Sequence, residues 1–189
     1  MMDAYLEKSF VFYASYHSNP TNKLLHIICV WPILITGLLL LSYTPSFALP
    51  PLPFIPHGML VNITSVITTI YVVFFLVITS FAMEGIISSL LITLAYYSIP
   101  TLTTSIPQIW NICLAVHIFG WVGQLYGHKV HEKRSPALMD NLLQALLMAP
   151  LFVVLEVLFE FGYKPEFRER TSLQASRNIG LYKASLKKQ

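Results

Sequence analysis

Apolar residues fall along this chain in five long runs, separated by short polar or proline-bearing breaks. Residues 1–18 form a preamble whose aromatic positions (Tyr5, Phe10, Phe12, Tyr13, Tyr16) predict a short helix at a membrane surface or against a bundle. Asn19-Pro20 ends it, because a residue before proline is pushed out of the helical region. A second helix is expected from Thr21 or Asn22 to about Tyr43. Pro45, Pro50, Pro51, Pro53 and Pro56 then forbid helix over 44–58. The run 59–83 follows, with a break at Glu84-Gly85 and a shorter run at 86–99. Pro100 and Pro107 bracket a loop before 109–127. A charged loop, a last run at 141–162 and a polar tail from Lys164 complete the pattern. Spanning ~30 Å of hydrocarbon takes about 20 apolar residues. The first, second and fourth runs satisfy this, and flanking residues extend the third. The fifth carries Pro150 in its middle and Glu156 and Glu160 in its second half.

Composition turns these runs into a class. The 189 residues are 55% hydrophobic and 11% charged, with mean hydropathy +0.63, against about 25% charged in soluble domains. A disordered chain is excluded. So is a disulfide scaffold, since Cys29 and Cys113 lie in apolar runs and read as small buried hydrophobes. The net charge of +3 does not form a nucleic-acid face, because the basic residues cluster at the ends and in one loop. The first residues lack the basic start of a secretory signal. Of the 12 Lys and Arg, Lys8 and Lys23 precede the first span; Lys129, Lys133 and Arg134 sit in the 127–140 loop; the other seven lie in the tail. The positive-inside rule then puts the N-terminus, that loop and the tail in the cytosol. The expected fold is an all-α polytopic membrane helix bundle of about four transmembrane helices. The 141–162 segment would be a re-entrant or interfacial helix pair broken at Pro150, with a plain fifth span and the tail outside as the competing reading. Residues 1–163 would form the embedded catalytic bundle and 164–189 a basic cytosolic tail.

Ionisable side chains within such a bundle call for a reason. His17 and His26 would face opposite ways on one straight helix, but the elbow at Asn19-Pro20 lets both face one hollow, with Asn22 between them. A surface capping cluster is the competing reading. His117, Gln124, His128 and His131 fall near one line of the fourth helix and its continuation. His128 and Glu132, spaced i and i+4, can offer a nitrogen and a carboxylate to one ion, with His131 an alternative ligand. Topology places His17, His26, His128 and Glu132 at one cytosolic level, a set that suits ferrous iron, zinc or another borderline metal. No GxSxG turn or glycine-rich phosphate loop is present.

The segments YHSNPTNKLLH (16–26) and GWVGQLYGHKVHEKRSPALMDNLLQALLMAPLFVVLEVLF (120–159) resemble the fungal 2-hydroxy-palmitate dioxygenase family of the endoplasmic reticulum membrane, directly over about 50 residues. The resemblance implies Fe(2+)-dependent, 2-oxoglutarate-independent α-oxidation. A long-chain 2-hydroxy fatty acid would be cleaved by dioxygen between C1 and C2, to an acid one carbon shorter, in phytosphingosine breakdown. It implies His17, His26 and His128 as iron-site residues, and Glu132, Gln124 and Asn22 as motif residues. His117, His131 and the proline-rich loop depart from the family pattern. Lys129 and Arg134 could hold the substrate carboxylate, or simply anchor the cytosolic side. Glu156 or Glu160 could bond a metal-site histidine, or both could face water. The acyl tail would lie among membrane lipids and apolar helices, entering sideways. A non-catalytic lipid-binding or assembly protein with structural histidines is the alternative. A di-iron hydroxylase is short of histidine boxes, and a transporter of an inverted repeat.

Overall fold

The structure, a computed structural model, describes residues 2–48, 60–135 and 142–186. Most of the proline-rich segment, His57 included, and the 136–141 linker lie outside these. The described elements are α1 (Met2–Tyr16), α2 (Pro20–Leu41), β1 (Phe47–Ala48), β2 (Leu60–Val61), α3 (Ile63–Ile78), α4 (Met83–Ser105), α5 (Ile109–Tyr126), a π-helical turn (Gly127–Glu132), α6 (Leu142–Glu160) and α7 (Pro165–Leu186). The two short strands pair antiparallel and close the connection between α2 and α3.

Two of the apolar helices, α3 and α5, turn large apolar side chains outward. On α3 the inward face is Thr64, Thr68, Tyr71 and Phe75, while Val66, Ile70, Val73 and Val77 point outward. On α5, Cys113, Gly120 and Gln124 are buried and Ile112, Ile118, Phe119 and Val122 are exposed. Small and polar residues share the helix contacts with large ones such as Tyr71 and Phe75, while many large apolar residues face out, as expected where lipid is the solvent. Three helical stretches are long and apolar enough to cross a membrane: Pro20–Leu41, Met83–Ser105 and Ile109–Glu132. Ala145–Glu160 and Pro165–Ser185 pass the same test together as a bent pair.

Four boundaries differ from those read in the sequence. The break between the second and third runs lies at residues 79–82, with Ser80 and Phe81 at positive φ, so α3 is the short helix (16 residues) and α4 the long one (23 residues). Pro100 lies inside α4, not at its end. The stretch 127–132 continues the fourth span as a π-helix and is no loop. Pro150 does not break α6; the 117° bend falls between α6 and α7, where Gly162 and Lys164 adopt positive φ. Proline 150 leaves the carbonyl four residues back without its helical donor, and the Tyr71 hydroxyl donates to that carbonyl, Leu146 O, at 3.0 Å. The orphan is satisfied, and the helix continues.

The α2–α5 contact positions the site. Gly120, Gly123 and Gly127 line the α5 side of it. A Cβ at Gly120 would stand 2.6 Å from Ile33 Cγ1, one at Gly123 would stand 3.3 Å from Cys29 Sγ, and one at Gly127 would collide with Asn22 Oδ1. Small residues allow this close approach of two membrane helices. Cys29 and Cys113 are buried and unbridged. The polar tail forms α7, which returns along α1 with Arg170 donating to Glu7 at 2.8 Å and 2.9 Å and Asn178 Nδ2 donating to Ser15 Oγ at 3.3 Å.

Candidate metal centre

The elbow between α1 and α2 is built by its own side chains. Asn19 caps α2, its Oδ1 accepting from Thr21 N at 2.9 Å and Asn22 N at 3.4 Å, and Pro20 follows as the first helical residue. Both are favoured at those positions. His17 lies one residue past α1 and His26 in the second turn of α2. His17 Nδ1 donates to Tyr13 O at 2.7 Å and His26 Nδ1 to Asn22 O at 2.9 Å. A carbonyl only accepts, so each neutral ring carries its hydrogen on Nδ1 and keeps the Nε2 lone pair free, the arrangement that orients ligating histidines.

His128 arrives from the opposite side, on the π-helical turn whose Gly127 lies flat against Asn22. Such turns recur at functional sites. The three imidazoles come from three elements, with centroids 4.2 Å (His17–His26), 4.8 Å (His17–His128) and 4.9 Å (His26–His128) apart. One nitrogen from each lies within 4.8 Å of the others. All three are buried, and His17 Nε2 and His128 Nδ1 have no hydrogen-bond partner among the described residues. Burial, followed by the neighbouring His26 and His128, holds the His17 pKa well below the usual imidazole range. The ring is therefore neutral, the form that ligates metal. Orphaned, neutral, converging nitrogens fit a borderline metal such as ferrous iron.

Other sequence candidates take different places. Glu132 is directed at the elbow and not into the imidazole group: Oε1 accepts from Asn19 N at 2.6 Å and from Asn22 Nδ2 at 3.3 Å, and Oε2 from Ser18 Oγ at 2.9 Å. The i, i+4 argument assumed α-helical winding, and the turn is π-helical. Asn22, fully buried, joins Glu132 to the His26 acceptor carbonyl. His131 stacks edge-on to Tyr126 and His117 bonds Thr36 and Trp121, so neither joins the three. Arg134 donates to Ser15 O and lies over the rings of Tyr16 (3.5 Å) and Tyr182 (4.1 Å); Lys129 is exposed. Glu156 pairs with Lys23 at 3.2 Å and Glu160 with Arg168 at 2.7 Å, so neither supports a histidine.

The imidazoles open on a cavity of about 250 Å³ bounded by α1, α2, α3, α5 and α6. Val30, Ile33, Leu34, Leu125, Leu146 and Phe152 make its wall chiefly apolar, and Gln124 lines it one turn before His128. Tyr13, missed as a site residue in the sequence, lines it too and stacks on His17 with centroids 4.1 Å apart. Its i, i+4 spacing to His17 was the available signal.

An apolar cavity ending in three buried histidines that could hold a metal is the form of the site. The chain matches the profile of the family described as 2-hydroxy-palmitic acid dioxygenase Mpo1-like over residues 4–161, and it belongs to that family. It is 30% identical over 157 residues to the 2-hydroxy-palmitic acid dioxygenase MPO1 of Saccharomyces cerevisiae, covering 83% of this chain and 82% of that protein. No solved structure gives a significant match.

Proposed function

We propose that this protein is an Fe(II)-dependent dioxygenase that shortens a long-chain 2-hydroxy fatty acid, such as 2-hydroxypalmitate, by one carbon. The observation that carries this reading is the convergence of His17, His26 and His128 at the end of an apolar cavity, in a chain of this family. His17, His26 and His128 would hold the iron, which when bound supplies chelation of the 2-hydroxy acid and the redox chemistry with dioxygen. The chain does the rest. Carbonyls 13 and 22 fix the His17 and His26 tautomers. Asn22 and Glu132 hold the elbow to the π-helical turn, so that the ligands from α2 and α5 stay in register. The apolar wall takes the acyl chain and excludes water from it.

By this reading the protein works in phytosphingosine breakdown at the endoplasmic reticulum membrane, with its N-terminus and tail cytosolic. The test is product analysis. Protein supplied with Fe(II), oxygen and 2-hydroxypalmitate forms pentadecanoate, and zinc in place of iron does not support it. A protein that binds the acid but leaves it unchanged with Fe(II) and oxygen belongs to the lipid-binding alternative.

A further inference from the structure

Seven buried side-chain polar atoms lack a hydrogen-bond partner among the described residues. Four of them are on residues that line the single cavity beside the imidazoles: Tyr13 Oη, His17 Nε2, Gln124 Nε2 and His128 Nδ1. Two belong to the histidines. The other two, a hydroxyl and an amide on residues 6% and 8% exposed, are not explained by metal ligation. An unpaired buried donor is costly, and natural structures keep few of them without a reason.

A second observation concerns charge. A 2-hydroxy fatty acid brings a carboxylate into this cavity, yet no lysine or arginine appears among its described lining residues. Arg134 is spent on Ser15 O and two aromatic rings, and Lys129 is exposed. The negative head group must then be met by the metal and by neutral donors. Tyr13 is held by stacking on His17 and by contact with Phe10 and Phe152 (centroids 5.7 Å and 5.2 Å). Gln124 sits one turn before His128 on the same helix. The two donors approach the imidazoles from α1 and from α5.

We propose that the Tyr13 hydroxyl and the Gln124 side-chain amide form a neutral clamp for the substrate carboxylate, donating to its oxygens beside the three histidines. This inference rests on the dioxygenase reading and adds the residues that recognise the head group. Tyr13 is a binding residue for the acid and not a metal ligand.

Tyr13→Phe keeps the ring and removes only the hydroxyl. The experiment measures binding of 2-hydroxypalmitate, palmitate and 1-hexadecanol to the full-length iron-loaded protein in detergent, without oxygen, by tryptophan fluorescence. It also measures iron content and the thermal midpoint without ligand. The expected result is a loss of affinity of roughly ten-fold or more for both acids, with 1-hexadecanol and iron content unchanged. The ligand-free thermal midpoint stays level or rises, because an unpaired buried hydroxyl is gone. Gln124→Leu follows the same selectivity. Unchanged acid affinity in Tyr13→Phe overturns the clamp, as does an equal loss for the alcohol, or a fall in thermal midpoint that accounts for the change. If wild-type protein binds neither acid, the dioxygenase reading falls and the clamp with it. Wild-type binding with an indifferent Tyr13→Phe removes the clamp alone.

Discussion

At the scale of single residues, the site depends on side chains that touch no ligand. Asn22 has no exposed surface and ties the Glu132 carboxylate to the His26 acceptor carbonyl. Asn22→Ala removes the Nδ2 donor that reaches Glu132 and the Tyr16 carbonyl, at a cost of about 1 kcal/mol. Both the thermal midpoint and the iron retained after dialysis should fall; wild-type iron retention would contradict the supporting role. Gly127→Ala forces a Cβ into Asn22 Oδ1. It should separate α5 from α2 at a cost of about 1–3 kcal/mol and lower metal content more than an alanine at the open Gly180 does. The clustering of the three histidines was legible because an Asn-Pro elbow and the expected order of the spans put them at one level of the bundle. Glu132 was legible as a motif residue but its direction was not, because i, i+4 spacing has its usual meaning only on an α-helix. Tyr13 and the glycine stripe of α5 stayed hidden, since their meaning lies in what they approach.

At the scale of elements, proline was the misleading signal. Pro100 and Pro150 stop helices in water-exposed sequence, but in a bundle a neighbour can satisfy the freed carbonyl, as Tyr71 does for Leu146. Tyr71→Phe should therefore destabilise the protein by about 1–3 kcal/mol, seen as a lower thermal midpoint; an unchanged midpoint would show that α6 does not need this donor. The tail was read only as a basic polar segment, yet as α7 it lies along α1. It is also anchored at the bend, where the fully buried Glu84 accepts from Tyr163 at 2.8 Å and from Lys164 at 2.7 Å. Lys164→Met removes the countercharge of that buried carboxylate and leaves it only the Tyr163 hydroxyl, at a cost of about 3 kcal/mol that a lower thermal midpoint measures. At the far end, bonding to Arg170 holds the Glu7 carboxyl below the usual carboxylate range. A depressed carboxyl stabilises the fold above its unfolded pKa and loses that contribution as pH falls through the folded value. The α1–α7 contact should thus loosen in acid, by a small amount because the pair is exposed. Hydrogen exchange of α7 amides at falling pH measures it, and Glu7→Gln should abolish the dependence.

For the whole molecule, the architecture joins three converging histidines to an apolar cavity. Their nitrogens come from the end of α1, the start of α2 and the π-helical turn after α5, and the cavity wall runs along α2 and α5 among apolar residues. That geometry suits a substrate whose head is polar and whose tail never leaves the bilayer. The fold class was legible from hydropathy and charge placement, because membrane spans announce themselves by length. The path of α6 was not, since its register is set by Tyr71 and Lys23 on other helices. The central claim is that His17, His26 and His128 form one iron site that performs the chemistry. The most direct measurement is iron stoichiometry and pentadecanoate formation for anaerobically purified wild-type protein and the three single alanine variants. Near-stoichiometric iron with turnover in the wild type, and loss of both in every variant, is the predicted result. A variant that keeps full turnover, or a wild type that binds no metal, would contradict the account.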